Sequence, residues 1–365
     1  MKVLITGGAG FIGSNFVYHL LDKEPQVQIT NLDALTYAGS LENLKSLPEP
    51  ERHFFFHGDI CDRKLVQTLL TERQIDTIVH FAAESHVDRS ILGPEQFVRT
   101  NVMGTFTLLE AAKQHWSANQ KKGDFRFHHV STDEVYGSLG QGDPPFTETT
   151  GYAPNSPYAA SKAASDHLVR AYGHTYGLPF TMTNCSNNYG PHQFPEKLIP
   201  LIILNALAGQ SLPVYGDGQQ IRDWLFVADH CEAIWAVLRA GEPGETYNIG
   251  GDNQPTNLEI VQALCEILDQ MVPDSAFVPH RQLIRFVTDR PGHDRRYAMD
   301  ITKISRNLGW QPKESLKSGL RKTVDWYLRH PEWVAAIRRQ GDYQGWLAKN
   351  YDHRTEKTLR EGNAL

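Results

Sequence analysis

The sequence predicts an α/β protein, a doubly wound parallel sheet covered on both faces by helices and followed by a smaller α/β lobe. Three observations carry that expectation. Short apolar runs alternate with helix-period patterns through the first half of the chain, as successive βαβ units do. A glycine-rich turn follows the first apolar run directly. From about Asn184 the rhythm changes to turn-rich pieces, NNYGPHQFP, VYGDGQQIRDW, IGGDNQPT and DRPGHDRR, with helical patterns between them.

In chain order, strands are expected at Lys2–Thr6, Gln28–Leu32, His53–His57, Thr77–Phe81, Arg126–Ser131 and Phe180–Asn184. Helical patterns lie between them, at Phe11–Leu21, Arg63–Glu72, Pro94–Trp116 and Pro157–Tyr176. Each crossover spans roughly 30 residues or more. Later helices are expected at Lys197–Ala208, Val227–Ala240, Thr256–Gln270, Ile301–Asn307 and Leu316–His330. A length of 365 residues sets a prior of two domains at about 150 residues each. No Ser/Gly/Pro run or charge block separates the halves. The expectation is therefore a first domain over 1–184, a ligand-binding lobe over 185–350 and a tail over 351–365, with some later chain returning to the first domain. No internal repeat is visible.

Composition excludes several classes. With 40% hydrophobic and 21% charged residues, the chain is of ordinary globular make-up. Its 36 Lys and Arg against 42 Asp and Glu argue against a nucleic-acid partner held by bulk positive charge. The excess of Lys and Arg over 301–365 reads as a solvated helical face. The four cysteines, Cys61, Cys185, Cys231 and Cys265, show no metal-ribbon or disulfide spacing. The histidines, including His53, His57, His128 and His129, lack ligand spacing with Cys or Asp, so no metal site is expected. No apolar stretch is long enough to span a membrane. The glycines that follow five residues into MKVLITGGAG argue against a signal peptide, so the expected setting is the reducing cytoplasm. In that setting the Asn184-Cys185-Ser186 sequon is a chance match.

The glycine-rich turn carries the first chemistry. Gly7, Gly10 and Gly13 are spaced GxxGxxG between an apolar strand and an amphipathic helix, with Phe11 and Ile12 inside the motif. The chain must turn sharply there and bring its backbone close to a pyrophosphate, which the helix N-terminus attracts. This is a Rossmann-type dinucleotide site. Asp33 ends the second strand, 26 residues after Gly7. A carboxylate at that place accepts from ribose hydroxyls and repels a 2′-phosphate, and no Arg follows in Ala34-Leu35-Thr36. NAD is thus expected rather than NADP. Asp59 and Ile60 follow the third strand, where adenine is expected, and Asp59 can also cap the next helix.

Tyr158 and Lys162 stand at i and i+4 at the start of a helix, so they share a face. A nearby ammonium favours the phenolate, turning a tyrosine of ordinary pKa ~10 into a usable base. Ser131-Thr132-Asp133-Glu134 leaves the carboxyl end of the fifth strand, where ligands of open α/β sheets bind. Adjacent carboxyls in different protonation states are what a dehydration requires.

GGAGFIG and YAASK resemble the extended short-chain dehydrogenase/reductase superfamily. Within it, STDEVYG, FAAESHVDRS, SPYAASKAASDHLVRAY, NCSNNYGPHQFPEKLIP, QIRDWLFV and DRPGHDRRYAMD resemble the dTDP-glucose 4,6-dehydratase family, and the likeness runs to about Tyr351. The segment between Gly137 and Phe146 is shorter than in some members. The resemblance implies NAD as cofactor, dTDP-glucose as substrate and a smaller substrate-binding lobe. It implies that Tyr158 and Thr132 serve C4 oxidation, that Glu134 removes the C5 proton, and that Asp133 donates to the departing C6 hydroxyl. The hydride then returns to C6, leaving a 4-keto-6-deoxy sugar. Rhamnose synthesis is the commonest setting for such an enzyme. A nucleotide-sugar 4-epimerase would use the same Tyr158 and Lys162 but has no use for the two carboxyls. The base, thymine or uracil, is set by pocket shape.

The resemblance extends the cofactor site to Phe81, Ala82, Ala83, Ser85, Thr100 and Asn188, and leaves the role of His86 open. It places Ser85, Thr132 and Asn187 at the sugar or phosphates, and Lys197, Leu198, Pro213, Val214, Tyr215, Arg222 and Asn257 at the nucleotide, with Asp289, Arg290, Pro291, Gly292 and His293. Arg281–Arg296 holds five Arg and two Asp, so an acidic chain still offers local positive charge to a diphosphate. Trp326, Tyr327, Trp333 and Trp346 read as packing residues. Pro94–Trp116 and Pro157–Tyr176 match the helices that pair into a four-helix bundle in homodimeric relatives.

Overall fold

The computed structural model describes residues 1–119, 125–340 and 345. Trp346 and the tail 351–365 lie outside these described residues. Among the described residues, eleven strands and twelve α-helices follow in the order β1 (Lys2–Thr6), α1 (Phe11–Lys23), β2 (Gln28–Asp33), β3 (His53–His57), α2 (Arg63–Glu72), β4 (Thr77–His80), α3 (Val87–Leu92), α4 (Pro94–Phe97) and α5 (Thr105–Ala118). Then come β5 (Arg126–Thr132), α6 (Pro157–Tyr176), β6 (Phe180–Cys185), β7 (Asn187–Tyr189), α7 (Leu198–Leu207), β8 (Leu212–Tyr215), β9 (Trp224–Phe226), α8 (Val227–Ala240) and β10 (Thr246–Ile249). The last are α9 (Asn257–Met271), β11 (Ile284–Val287), α10 (Thr302–Leu308), α11 (Leu316–Arg329) and α12 (Pro331–Arg338).

Seven strands form one parallel sheet in the order β10-β6-β5-β4-β1-β2-β3. The direction of winding reverses between β1 and β4, and such a switch point opens a crevice at the carboxyl ends of the strands. Strand alternation divides the core. Val3 and Ile5 pack with α1 and α8 on one face, and Leu4 packs with α2, α5 and α6 on the other. Both faces are buried, which is why these strands read as near-continuous apolar runs.

Local chemistry explains the element ends. The Asp62 carboxylate accepts from Leu65 N at 3.0 Å and starts α2. Ser156 accepts from Ala159 N at 3.1 Å, Pro157 occupies the first turn of α6, and Gly177 ends it in the left-handed conformation. Asp59 bonds Cys61 N at 2.8 Å, so the capping role offered for Asp59 belongs to Asp62.

The second half holds five strands that the sequence reading did not place, β7 to β11. β10, unread in the sequence, joins the edge of the large sheet beside β6, and α8 packs against α1. The remaining strands form two parallel pairs, β8 with β11 and β7 with β9. Around them α7, α9 and α11 enclose a second core that includes Tyr189, Trp224 and Trp333. A small apolar cluster, with Tyr136, Phe146, Tyr297 and Met299, joins the two halves behind Asp133. Among the described residues no helix is long and apolar enough to cross a membrane, and no group of three His, Cys, Asp or Glu is arranged to hold a metal ion.

Candidate active site

The switch-point crevice begins at the glycine turn. Gly7 has φ +74°, and a Cβ on Gly13 would lie 2.2 Å from Gly7 O. The turn is therefore closed to side chains, and α1 starts at Gly10 without a side-chain cap. Its first-turn N–H groups are available to an anion. Asp33 is buried at the end of β2 and accepts from Ala9 N and Leu35 N, each at 2.8 Å. Burial pushes its pKa up and the two backbone donors pull it down. A glycine cradle without side chains, with a carboxylate at its edge, fits a dinucleotide.

The cleft is lined by Gly7, Gly10, Phe11, Ile12 and Gly13, by Asp33, Ala34 and Thr36, and by Asp59 and Ile60. Phe81, Ala82, Ala83, Ser85, Thr100, Tyr158, Lys162 and Asn188 complete the expected cofactor set. Leu35 is the exception. It sits at φ 49°, with its N–H tied to Asp33, and does not line the cleft. Tyr37, Glu84, Ser186, Gln193 and Phe194 also line it and were not read from the sequence.

Thr132, Asp133, Glu134, Tyr158 and Lys162 come together at the carboxyl end of β5. Thr132 ends that strand and caps a short 3-10 turn over Asp133–Tyr136, accepting from Glu134 N at 3.3 Å. Its hydroxyl donates to Asp133 Oδ1 at 3.3 Å and works to lower the pKa of the Tyr158 phenol. Lys162 donates to Val130 O at 2.8 Å. The expectation that Lys162 lowers the Tyr158 pKa does not hold for this chain alone. Burial raises it well above the ordinary value, and Glu134 and Cys185 raise it further. Lys162 is itself buried, which lowers its own pKa. Tyr158 therefore rests as a phenol.

The two adjacent carboxyls are both raised, but to different degrees and against different neighbours. Asp133 is 1% exposed, and its Oδ2 has no hydrogen-bond partner. Burial, then Glu134, then Asp223 raise its pKa well above the usual carboxylate range. Burial also raises Glu134, but Arg290, Arg222 and Lys197 oppose that shift. Both carboxyls are raised on balance, but Asp133 is raised well above its ordinary value and held as an acid, whereas Glu134 has three cations opposing its shift. Asp223 itself, in QIRDW, is pushed up to about 7 by burial. Its position beside Arg222 was the sequence signal for it.

Of the expected substrate set, Ser85, Thr132, Asn187 and Lys197 line the same cleft. The others do not, and several gather at its mouth around Asp88. Arg290 reaches the Asp88 carboxylate at 3.3 Å, and the Tyr215 hydroxyl donates to it at 3.4 Å. His293 pairs with Asp289 at 2.6 Å. Pro291 and Gly292 are exposed beside them. The Arg222 guanidinium stacks 4.3 Å over the Tyr297 ring and donates to Ile221 O and Asp294 O. Leu198 and Asn257 start α7 and α9. Pro213 and Val214 are buried in β8, and the Val214 side chain belongs to the second core.

Other expectations resolve as packing. His128 bonds Thr181 at 2.9 Å inside the sheet. Trp326, Tyr327 and Trp333 pack edge to face on one another. His86 sits beside Glu196 at 3.6 Å and is held neutral by burial and nearby cations. Asn101, also unread, lies in a π-helical stretch over Val98–Gly104. Its side chain pairs with the Glu84 backbone at 2.8 and 3.0 Å and donates to Ser161 at 2.8 Å, tying the loop after β4 to α6.

The sequence matches the family model described as GDP-mannose 4,6 dehydratase over residues 4–323. It is 56% identical over 364 residues to a dTDP-glucose 4,6-dehydratase of Shigella flexneri, covering 97% of this chain and 100% of the relative. The chain belongs to the dTDP-glucose 4,6-dehydratase family. Among solved structures, a member of this family from Streptomyces venezuelae, with NAD among its bound ligands, superimposes at a TM-score of 0.84 and 47% identity, covering 92% of this chain and all of that one. A Thermus thermophilus UDP-glucose 4-epimerase in complex with NAD gives a TM-score of 0.79 at 31% identity, covering 90% of this chain and 100% of that one. The epimerase shares the fold at lower identity.

Proposed function

We propose that this chain converts dTDP-glucose to dTDP-4-keto-6-deoxyglucose with NAD as cofactor. The observation that carries the proposal is the pair Asp133 and Glu134 in one cleft with Thr132 and Tyr158, Asp133 raised further by its neighbours and Glu134 opposed by Arg290, Arg222 and Lys197. The glycine turn, Asp33 and Lys162 would hold the cofactor. When bound, NAD accepts the C4 hydride and returns it at C6. Tyr158, in its ionised form and beside Thr132, takes the C4 hydroxyl proton, and this proton afterwards replaces the one that Asp133 gives up. With a ketone at C4 the C5 hydrogen becomes acidic, and Glu134 removes it. Asp133, held protonated, gives its proton to the C6 hydroxyl, which leaves as water. Glu134 then returns its proton to C5. Arg222, Arg290 and Lys197 keep Glu134 available as a base and offer positive charge to the diphosphate.

We also propose a homodimer. Leu92, Val98, Met103 and Phe106 expose 59%, 53%, 51% and 37% of their surface along α3 to α5. A second copy pairing α5 and α6 into a four-helix bundle would cover them. Four free thiols fit a cytoplasmic location. Incubation with dTDP-glucose tests the activity. A 4-keto-6-deoxy product supports it, whereas a galactose isomer without loss of water would identify an epimerase.

A further inference from the structure

Four residues beyond Lys162 on α6, and eight beyond Tyr158, stands Asp166, on the same helix face and without a role in the steps above. It is fully buried. Its Oδ1 accepts from His129 Nε2 at 3.0 Å, and its Oδ2 accepts from the Ser131 hydroxyl at 2.8 Å and the Tyr152 hydroxyl at 2.9 Å. Despite burial, His129, the Lys162 charge and Ser131 hold Asp166 below the ordinary carboxylate range. His129 and Ser131 alternate along β5, so both face one side of the strand. Lys162 bonds the carbonyl of Val130 between them at 2.8 Å. The ammonium and the carboxylate therefore grip the same three residues of β5, directly before Thr132.

The other titratable groups around Lys162 are neutral. His129 is lowered to about 4, and His80 well below its ordinary value. The Cys185 thiol is pushed up to about 12, and Tyr158 is a phenol. Arg170 reaches the Tyr152 hydroxyl at 3.4 Å, on the far side of Asp166's own hydrogen-bond partner. Against the burial that lowers Lys162, the foremost opposing influence is Asp166. We propose that Asp166 is a positioning residue for the oxidation step: its buried carboxylate holds Lys162 as an ammonium on the Val130 carbonyl, the state in which the lysine can stabilise a Tyr158 phenolate. This rests on the reading of Tyr158 and Lys162 as the oxidation pair.

The test reads Lys162 directly. In protein labelled with ¹³C-lysine, the Lys162 Cε signal is assigned by its loss in Lys162→Arg, and its titration is followed without substrate. Asp166→Asn keeps the shape and removes the charge. Tyr152→Phe removes a hydrogen bond to the same carboxylate and keeps the charge. The Lys162 midpoint should fall by about one pH unit or more in Asp166→Asn, a tenfold or greater change, and stay in place in Tyr152→Phe. The alkaline limb of the turnover profile should move down with it. An unmoved midpoint in Asp166→Asn, or equal shifts in both variants, overturns the proposal. So does a neutral Lys162 amine in the wild type at neutral pH, whether or not the variant folds. Product formation from dTDP-glucose checks the functional reading separately, because the Lys162 midpoint is read without turnover.

Discussion

The cofactor cleft and the charged mouth beside it are built from different materials. The cleft is backbone: Gly7 N donates to Leu32 O at 2.9 Å, Phe81 N to Thr6 O at 3.0 Å, and Ala9 N to Asp33 at 2.8 Å. The mouth is long side chains brought together from distant segments. Arg290 meets Asp88 across 202 residues, Tyr215 meets Asp88 across 127, and Arg89 meets Glu196 across 107. A site made of backbone has no room for added atoms. A site made of ion pairs can change in graded steps.

Changes in each region should behave accordingly. The largest effect falls where the regions meet. Tyr158→Phe should lower kcat by about 10²–10⁴-fold while NAD affinity, measured by calorimetry, stays near wild type. Next, Gly13→Ala should weaken NAD binding by roughly 1–3 kcal/mol of overpacking, since the new methyl meets Gly7 O. Equal NAD affinity in this variant would mean that the cleft is not closed by backbone. Arg290→Gln should raise KM for dTDP-glucose by about tenfold or more, from the loss of a charged hydrogen bond, and leave NAD affinity untouched. A loss of NAD binding there would erase the distinction between the regions.

The smallest effect concerns pH. Asp223 is raised from 3.8 to about 7, so its folded form favours the proton. Its contribution to stability is complete below the ordinary value and is lost as pH rises through about 7. The melting temperature of the wild type should therefore fall over that window, and that of Asp223→Asn should fall less. Parallel curves would show that Asp223 does not titrate there.

The same difference in materials decides what could be read from the sequence. Lys2–Thr6, Arg63–Glu72 and Pro157–Tyr176 match the structure to the residue, because Gly, Asp, Ser and Pro punctuate their ends. β10 was unread because four residues between turns have no periodicity, and only pairing with β6 makes them a strand. Of the residues that line the cleft, the glycine turn, Asp33 and Asp59 were legible as local signals, whereas Phe81, Ala82, Ala83, Ser85, Thr100 and Asn188 were reached only through the resemblance. The partners of Arg290, and the influence of Asp223 on Asp133, depend on contacts that no local pattern encodes. Tyr158 and Lys162 were found by spacing. Their charge balance was not, because burial outweighs the lysine in the free chain.

The division of labour between Asp133 and Glu134 is the centre of the account, and Glu134→Gln examines it most directly. Mixed with dTDP-glucose in a single turnover, this variant should still oxidise C4, so the near-ultraviolet band of reduced nicotinamide should rise and persist while no 4-keto-6-deoxy sugar is released. Full product formation without that band would show that Glu134 is not the base at C5.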